Sequence, residues 1–204
     1  MDIRDIIRTN DEVIRRAIEE IRREDVSRVA IFNGSSFHEL PLDTALKLPP
    51  LAEGRVFEIE ERSEYVSKDS LNYILRLMRP KEVVVRVGFE VWDEGIREGY
   101  LRKGMPNSEV MRLANLRKEV KEEGLPIKFI IYVLFGMKGI PEDKVIESVI
   151  KFKELFDGVI AIKYRKYLPN HPDEAPVSKE LAKFLEENTD LVDWGEEGEW
   201  VITQ

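Results

Sequence analysis

The stretch that most constrains this chain runs from Val83 to Gly104, VVVRVGFEVWDEGIREGYLRKG. Its opening residues are β-branched, with Arg86 the one polar interruption, which suits a strand buried on both faces, as in a parallel sheet covered by helices. Gly88 and Glu90 mark the end of that strand, Asp93 opens a short helical segment, and Gly104 falls where a helix stops. A strand, an acidic tip and a helix in succession is the repeating unit of α/β folds, whose ligands sit at such tips.

Variants of the unit recur. Thr9 and Glu12 read as a capping box for a first helix from about Asn10 to Arg23, with residues 1–9 as an arm before it. Val26 to Phe32 reads as a short strand ending in the small polar tip Asn33-Gly34-Ser35-Ser36, and at most one helical turn, Asp43 to Leu48, precedes the stop at Pro49-Pro50. Arg55 to Ile59 is the next strand, running into Glu60-Glu61-Arg62-Ser63-Glu64, and Ser67 caps a helix over Leu71, Ile74, Leu75 and Met78. A long helix runs from Asn107 to Gly124, and the most apolar strand, Ile127 to Phe135, ends in the tip Gly136-Met137-Lys138-Gly139. Pro141 opens a helix that closes near Asp157-Gly158, Val159 to Tyr164 is a strand, and a long loop from Arg165 to Pro176 leads to a helix capped by Ser178. The tail, 189–204, carries a short strand over Trp200 to Thr203. The expectation is one α/β domain over 1–204: an incomplete (β/α) TIM-like barrel of about five to six mostly parallel strands with outer helices.

Composition narrows the function classes. Charged residues make up 35% of the 204, glutamine occurs only at Gln204 and cysteine is absent, the profile of a protein from a hot environment. The formal charge of −8 disfavours bulk nucleic-acid binding. No run reaches the roughly eighteen apolar residues of a membrane span, and the alternating charges of MDIRDIIRT differ from a signal peptide, so a cytoplasmic location is expected. Without cysteine the chain has no disulfide, thiolate zinc site, thiol nucleophile or cysteine-bound iron–sulfur cluster.

Across roughly Val26 to Pro169 the strand tips resemble those of the radical S-adenosylmethionine (SAM) superfamily, in particular the tRNA-modifying branch that includes archaeosine-synthesis proteins. Phe32-Asn33-Gly34-Ser35-Ser36-Phe37 stands where that family has a glycine-rich tip touching the amino-acid part of SAM. Glu60-Glu61-Arg62-Ser63-Glu64-Tyr65-Val66 is similar to its E-x-R-P-E segment, with Ser63 in place of proline. Gly88-Phe89-Glu90, Asp93, Ile96, Arg97 and Lys103-Gly104 are similar to G-L-E, D-x-I-R and N-K-G, and Tyr132 to Ile140 falls where a glycine-bearing tip cradles adenine. The resemblance implies SAM as the ligand. It also implies a cluster held by three cysteines after a first strand. Neither those cysteines nor that strand is in this sequence, so radical chemistry is not expected of this chain alone.

Three readings stay open. In the first, SAM or another nucleoside-like ligand binds at the carboxyl edge of the sheet through Asn33, Gly34, Ser35, Ser36, Glu60, Arg62, Gly88, Glu90 and Gly136, without radical chemistry. The same residues also have structural readings: the glycines only turn the chain, and Glu60 and Arg62 pair with each other or with Arg86. In the second, the chain is a non-catalytic partner subunit of a tRNA-modifying enzyme, its long apolar barrel edge covered by another chain or by Ile3, Ile6, Ile7, Trp194 or Trp200; tRNA is then met only indirectly. In the third, Lys163 forms a Schiff base at the barrel mouth, where Arg165, Lys166, Tyr164 and Tyr167 bind a phosphate or carboxylate, or else form a solvated loop. His38 with Glu39 and His171 with Asp173-Glu174 lack metal-ligand spacing, so no metal is expected.

Overall fold

The computed structural model describes residues 3–34 and 36–195. Six strands form one sheet whose order follows the chain: β1 (Arg28–Ile31), β2 (Val56–Glu60), β3 (Glu82–Glu90), β4 (Ile127–Phe135), β5 (Gly158–Lys163) and β6 (Leu191–Asp193). The β1/β2, β2/β3, β4/β5 and β5/β6 pairs are parallel. With helices between the strands, the chain is α/β, an incomplete (β/α) barrel.

The chain divides into two compact units: Met1–Val87 with Asn115–Lys128, and Gly88–Ala114 with Phe129–Gln204. In the first, α1 (Ile3–Ile21) packs against the single-turn helices α2 (Leu42–Ala45) and α3 (Pro49–Ala52). The capping box expected at Thr9 is absent: the Thr9 hydroxyl donates to Asp5 O at 3.0 Å inside a helix already under way. Ile3 is exposed, Ile6 and Ile7 are half-buried, and all three are helical rather than part of an arm. Pro49-Pro50 does not end a helix but opens α3, because proline lacks only an amide that a first turn leaves unpaired. Helix α4 (Lys68–Met78) starts at Ser67, whose hydroxyl accepts from Ser70 N, and stops at Arg79 in a left-handed conformation before Pro80. It buries Leu71, Ile74 and Met78, and Phe57, Ile59, Val83 and Val85 are fully covered. The edge strand β1 is four residues long, RVAI, alternately exposed and half-buried, with Arg28 at its start, so this edge is shorter than the long apolar one expected.

In the second unit, β4 alternates buried and less buried residues. Helices α5 (Asn107–Glu122, whose last residues belong to the first unit), α6 (Glu142–Leu155) and α7 (Lys179–Asn188) lie between the strands. Phe89, Phe152 and Phe156 cluster, Phe89 stacking on Phe152 at 5.8 Å, with Trp92 edge-on to the same ring. Burying a ring of this size from water contributes about 2–3 kcal/mol. Trp194 packs edge-on to Phe135 at 5.1 Å. β6 lies earlier than the tail strand expected at Trp200 to Thr203, which falls outside the described residues, as does Trp200. Among the described residues no helix is long and apolar enough to cross a membrane.

Candidate functional site

In the first unit the strand tips brace one another. Asn33 Nδ2 donates to Ser36 O at 3.1 Å, and Gly34 has φ +72° with open space where a Cβ would stand. Ser36 is buried and its hydroxyl accepts from Arg62 N at 3.0 Å, joining the segments after β1 and β2; Ser35 lies outside the described residues. Arg62 Nε donates to Glu64 at 2.6 Å. Arg86 donates to Glu58, which also accepts from Arg28, and its guanidinium lies 4.8 Å from the Phe32 ring centroid. Glu58 is almost fully buried, so its charge is balanced by those two arginines. Glu60 is half-buried at the end of β2.

His38 Nδ1 lies 2.5 Å from Oε1 of the buried Glu61, which also accepts from His38 N at 3.1 Å. Among the described residues no group of three or more His, Asp or Glu side chains is placed to hold a metal ion.

In the second unit the tip of β3 is built differently. Glu90 has φ +67°, a conformation that costs a side chain with a Cβ about 1–2 kcal/mol. Its Oε1 accepts from Lys103 Nζ at 3.0 Å and stands 2.7 Å from where a Cβ on Gly88 would be, so a glycine at 88 leaves room for that carboxylate. Lys103 is likewise held between left-handed residues, Arg102 at φ +54° and Gly104 at φ +70°.

Arg97 fixes both segments. It is fully buried in a turn of π-helix, Gly95–Tyr100. Its Nη1 donates to Val91 O and Trp92 O (2.8 and 3.0 Å), just after Glu90; its Nε donates to Met105 O and its Nη2 to Asn107 Oδ1, both at 2.5 Å, just after Lys103. Lys103 N in turn donates to Arg97 O. Burial pushes the guanidinium down from its ordinary value, with Glu98, Glu94 and Asp93 opposing. Asp93 accepts from Ile96 N at 3.0 Å and pairs with Lys144; that backbone bond, then Lys144, holds its carboxyl below the usual range.

Glu90 and Lys103 stand at a cavity of about 310 Å³, near the small end of ligand pockets. Leu101, Leu134, Met137 and Pro172 give it an apolar wall, and Tyr164 and His171 complete the lining. The loop after β5 is stitched to the tip of β4 by Ala175 N, which donates to Gly136 O, and by Lys138 N, which donates to Asp173 O; within the loop the Tyr164 hydroxyl donates to Pro172 O. Gly136, at φ +73°, lies against Lys163 and Val177, so it serves the turn and the close packing of that loop.

The basic cluster is neutralised within the loop. Lys163 Nζ lies 3.6 Å and Arg165 Nη1 3.5 Å from Glu174, and Lys166 donates to Asp173 at 2.8 Å. The amide of Lys166 is the main cause holding Glu174 below the usual carboxylate value. Lys166 and Tyr167 are exposed, Tyr167 at 83%, as a solvated loop would have them.

Sequence reading did not name Lys103, Arg97 or Glu58 as site or structural charges. A single acid inside the apolar strand VFEIE was the available signal for Glu58, since a charge there requires partners on neighbouring strands.

No family model matches the chain. Over 97 residues it is 32% identical to the uncharacterized protein MJ0550 of Methanocaldococcus jannaschii, a stretch that is 44% of this chain and 26% of that protein, so the match spans about a quarter of the relative's length. The fold is similar to that of a queuine lyase from Clostridium spiroforme bound to SAM and queuine, with TM-score 0.66 and 19% identity, covering 95% of this chain and 79% of that one. That likeness carries the fold alone, an incomplete (β/α) barrel. The residues present do not fit a cysteine-held cluster, because the 204 residues contain no cysteine.

Proposed function

We propose that this chain binds SAM or a related nucleoside-like ligand at the carboxyl edge of the sheet, without radical chemistry of its own. The observation that carries the reading is Glu90, an acid kept on left-handed backbone at the mouth of an apolar-walled cavity. Strain of this kind is retained where the surrounding structure over-determines it, which is typical of ligand sites. The fold's likeness to a protein solved with SAM supports the ligand class. Glu90 lines the cavity and Gly88 leaves room for its carboxylate, while Gly136 packs against Lys163 and Val177 beside the loop that supplies His171 and Pro172 to the lining. Asn33, Gly34, Ser35, Ser36, Glu60 and Arg62 enter through the motif resemblance. A SAM-like ligand would supply a sulfonium and an adenosine; this chain's residues would orient it and shield it from water.

The alternative readings keep their own tests. A partner subunit of a tRNA-modifying enzyme would associate in a concentration-dependent way, and a Schiff base at Lys163 would be trapped by borohydride. Neither has a specific observation in its favour: β1 is an edge of only four residues, and Lys163 is ion-paired with Glu174.

Calorimetric titration with SAM and with S-adenosylhomocysteine tests the proposal. The expected result is saturable binding that weakens by about tenfold or more in Glu90→Gln. Absence of heat with either compound overturns it.

A further inference from the structure

We propose that the amino edge of the first unit's strands carries a binding site of its own, a receptor for the phosphate monoester of a small polyol, with Arg55 and Lys81 meeting the phosphate and Asp25 meeting hydroxyl groups.

The parallel register creates the site. It aligns Arg28 with Val56 and Val56 with Glu82, so the residues that lead into β1, β2 and β3 come together at one end of the strands. Val56 N donates to Ser27 O at 3.0 Å, Lys81 N to Arg55 O at 2.8 Å and Gly54 N to Arg79 O at 3.0 Å, which ties the three entries to one another. Among them lies a cavity of about 420 Å³, within the range of small-ligand pockets. Its lining belongs wholly to the first unit and shares no residue with the cavity beside Glu90.

Two cations at this cavity are left without a counter-charge. Arg55 is half-buried, its Nε donating to Val26 O at 2.9 Å and its Nη1 to Glu53 O at 3.1 Å. Those bonds fix the plane of the guanidinium and leave three of its five protons, both of those on Nη2 included, for another acceptor. Lys81 is exposed at the same cavity, and among the described residues neither cation is ion-paired with an acid. The other charges nearby are engaged: Arg28 donates to Glu58, and Glu53 pairs with Arg79 at 3.4 Å. An oriented fork beside a flexible ammonium is a donor set for a tetrahedral oxyanion, the arginine bidentate and the lysine a point charge. Because the guanidinium is held in advance, little ordering cost remains for binding.

The rest of the lining selects what the phosphate is attached to. Val26 and Val56 supply the only apolar side chains there, and no aromatic ring is present on which a nucleobase could stack. Asp25 and Ser27 offer a carboxylate and a hydroxyl, the partners that ligand hydroxyl groups take. Asp25 also repels a bare anion, so the site favours an ester with a hydroxylated body over inorganic phosphate.

Amide NMR titrations of the full chain test this in phosphate-free buffer at pH about 7.5, where a monoester is mostly dianionic. The probes are ribose 5-phosphate, ribose, inorganic phosphate and a short 5′-phosphorylated oligoribonucleotide. Ribose 5-phosphate is expected to shift the amides of Ser27, Gly54, Arg55 and Lys81 saturably and to bind about tenfold or more tighter than ribose. Lys81→Gln, an exposed change that leaves the backbone bonds in place, should weaken ribose 5-phosphate about tenfold and leave ribose unchanged; Arg55→Lys, which loses the fork, should weaken it as well. Asp25→Ala should weaken ribose 5-phosphate and tighten inorganic phosphate, a reversal of sign that general loosening of the fold would not reproduce. No saturable shift at these amides, or equal binding of ribose and ribose 5-phosphate, overturns the site. Inorganic phosphate bound as tightly as ribose 5-phosphate, in the parent and in Asp25→Ala alike, overturns the polyol assignment. An oligonucleotide bound more tightly than ribose 5-phosphate overturns the small-molecule assignment in favour of a nucleic-acid end.

Discussion

Glu58 in the first unit and Glu90 in the second are both acids on strands of a parallel sheet, and both are paired with basic side chains. Glu58 lies inside β2, almost fully buried, with Arg28 and Arg86 supplying its hydrogen bonds. Glu90 stands at the end of β3 with one lysine, partly open, on backbone that its side chain disfavours. The first geometry is what a buried charge requires whatever the protein does. In the second, backbone stability is given up to hold a charge that stays within reach of solvent.

That contrast fails or sharpens in a graded series. Glu58→Ala removes a buried acceptor from Arg86, whose side chain is 19% exposed, while the 58% exposed Arg28 can turn to water, and should cost about 3 kcal/mol in urea denaturation; a loss no larger than that of Glu90→Gln would erase the distinction. Arg97→Lys keeps the charge but cannot reach four acceptors from one fork, and about 2–3 kcal/mol of stability is expected to go. An Arg97→Lys protein of unchanged stability would show that the two segments are held by something else.

Asp93 sharpens the picture through pH. Its folded carboxyl is held low, chiefly by the amide of Ile96 and then by Lys144, so its contribution is present above the ordinary carboxylate range and is lost as pH falls through the lowered value. Asp93→Asn should therefore be less stable than the parent by about 1 kcal/mol near neutrality, and the gap should close in acid. A constant gap across the titration would remove Asp93 from the machinery holding this tip. The smallest expected effect separates the backbone cost of Glu90 from its charge. Both Glu90→Gly and Glu90→Ala lose the carboxylate, but only glycine relieves the left-handed strain, so the glycine variant should be the more stable by up to about 1 kcal/mol. Equal melting temperatures would mean that residue 90 stores no strain.

Much of the fold was legible because its signals are local. β4 spans Ile127–Phe135 as its apolar run indicates, and the caps at Ser67 and Ser178 begin α4 and α7. The misses have tertiary causes. Asp5 and Thr9 lie inside α1, whose start is not signalled by the only box-like pair, and Pro49-Pro50 serves a turn that exists because Leu51 and Ala52 are buried. At the site, Glu90 and Gly88 stood out as a tip. The roles of Lys103 and Arg97 did not, because an arginine between Ile96 and Glu98 reads as a solvated face unless the four acceptors around it are known.

Gly88 carries a last implication, for how mutations at this tip combine. Its backbone is ordinary strand, so alanine there meets no conformational penalty; what an added methyl meets is the mobile end of Glu90, 2.7 Å away. A Gly88→Ala protein should therefore fold normally with the carboxylate pushed out of register with Lys103. Positions 88 and 90 are thus epistatic: a residue larger than glycine at 88 becomes neutral once residue 90 is short, and harmful only while the acid is there.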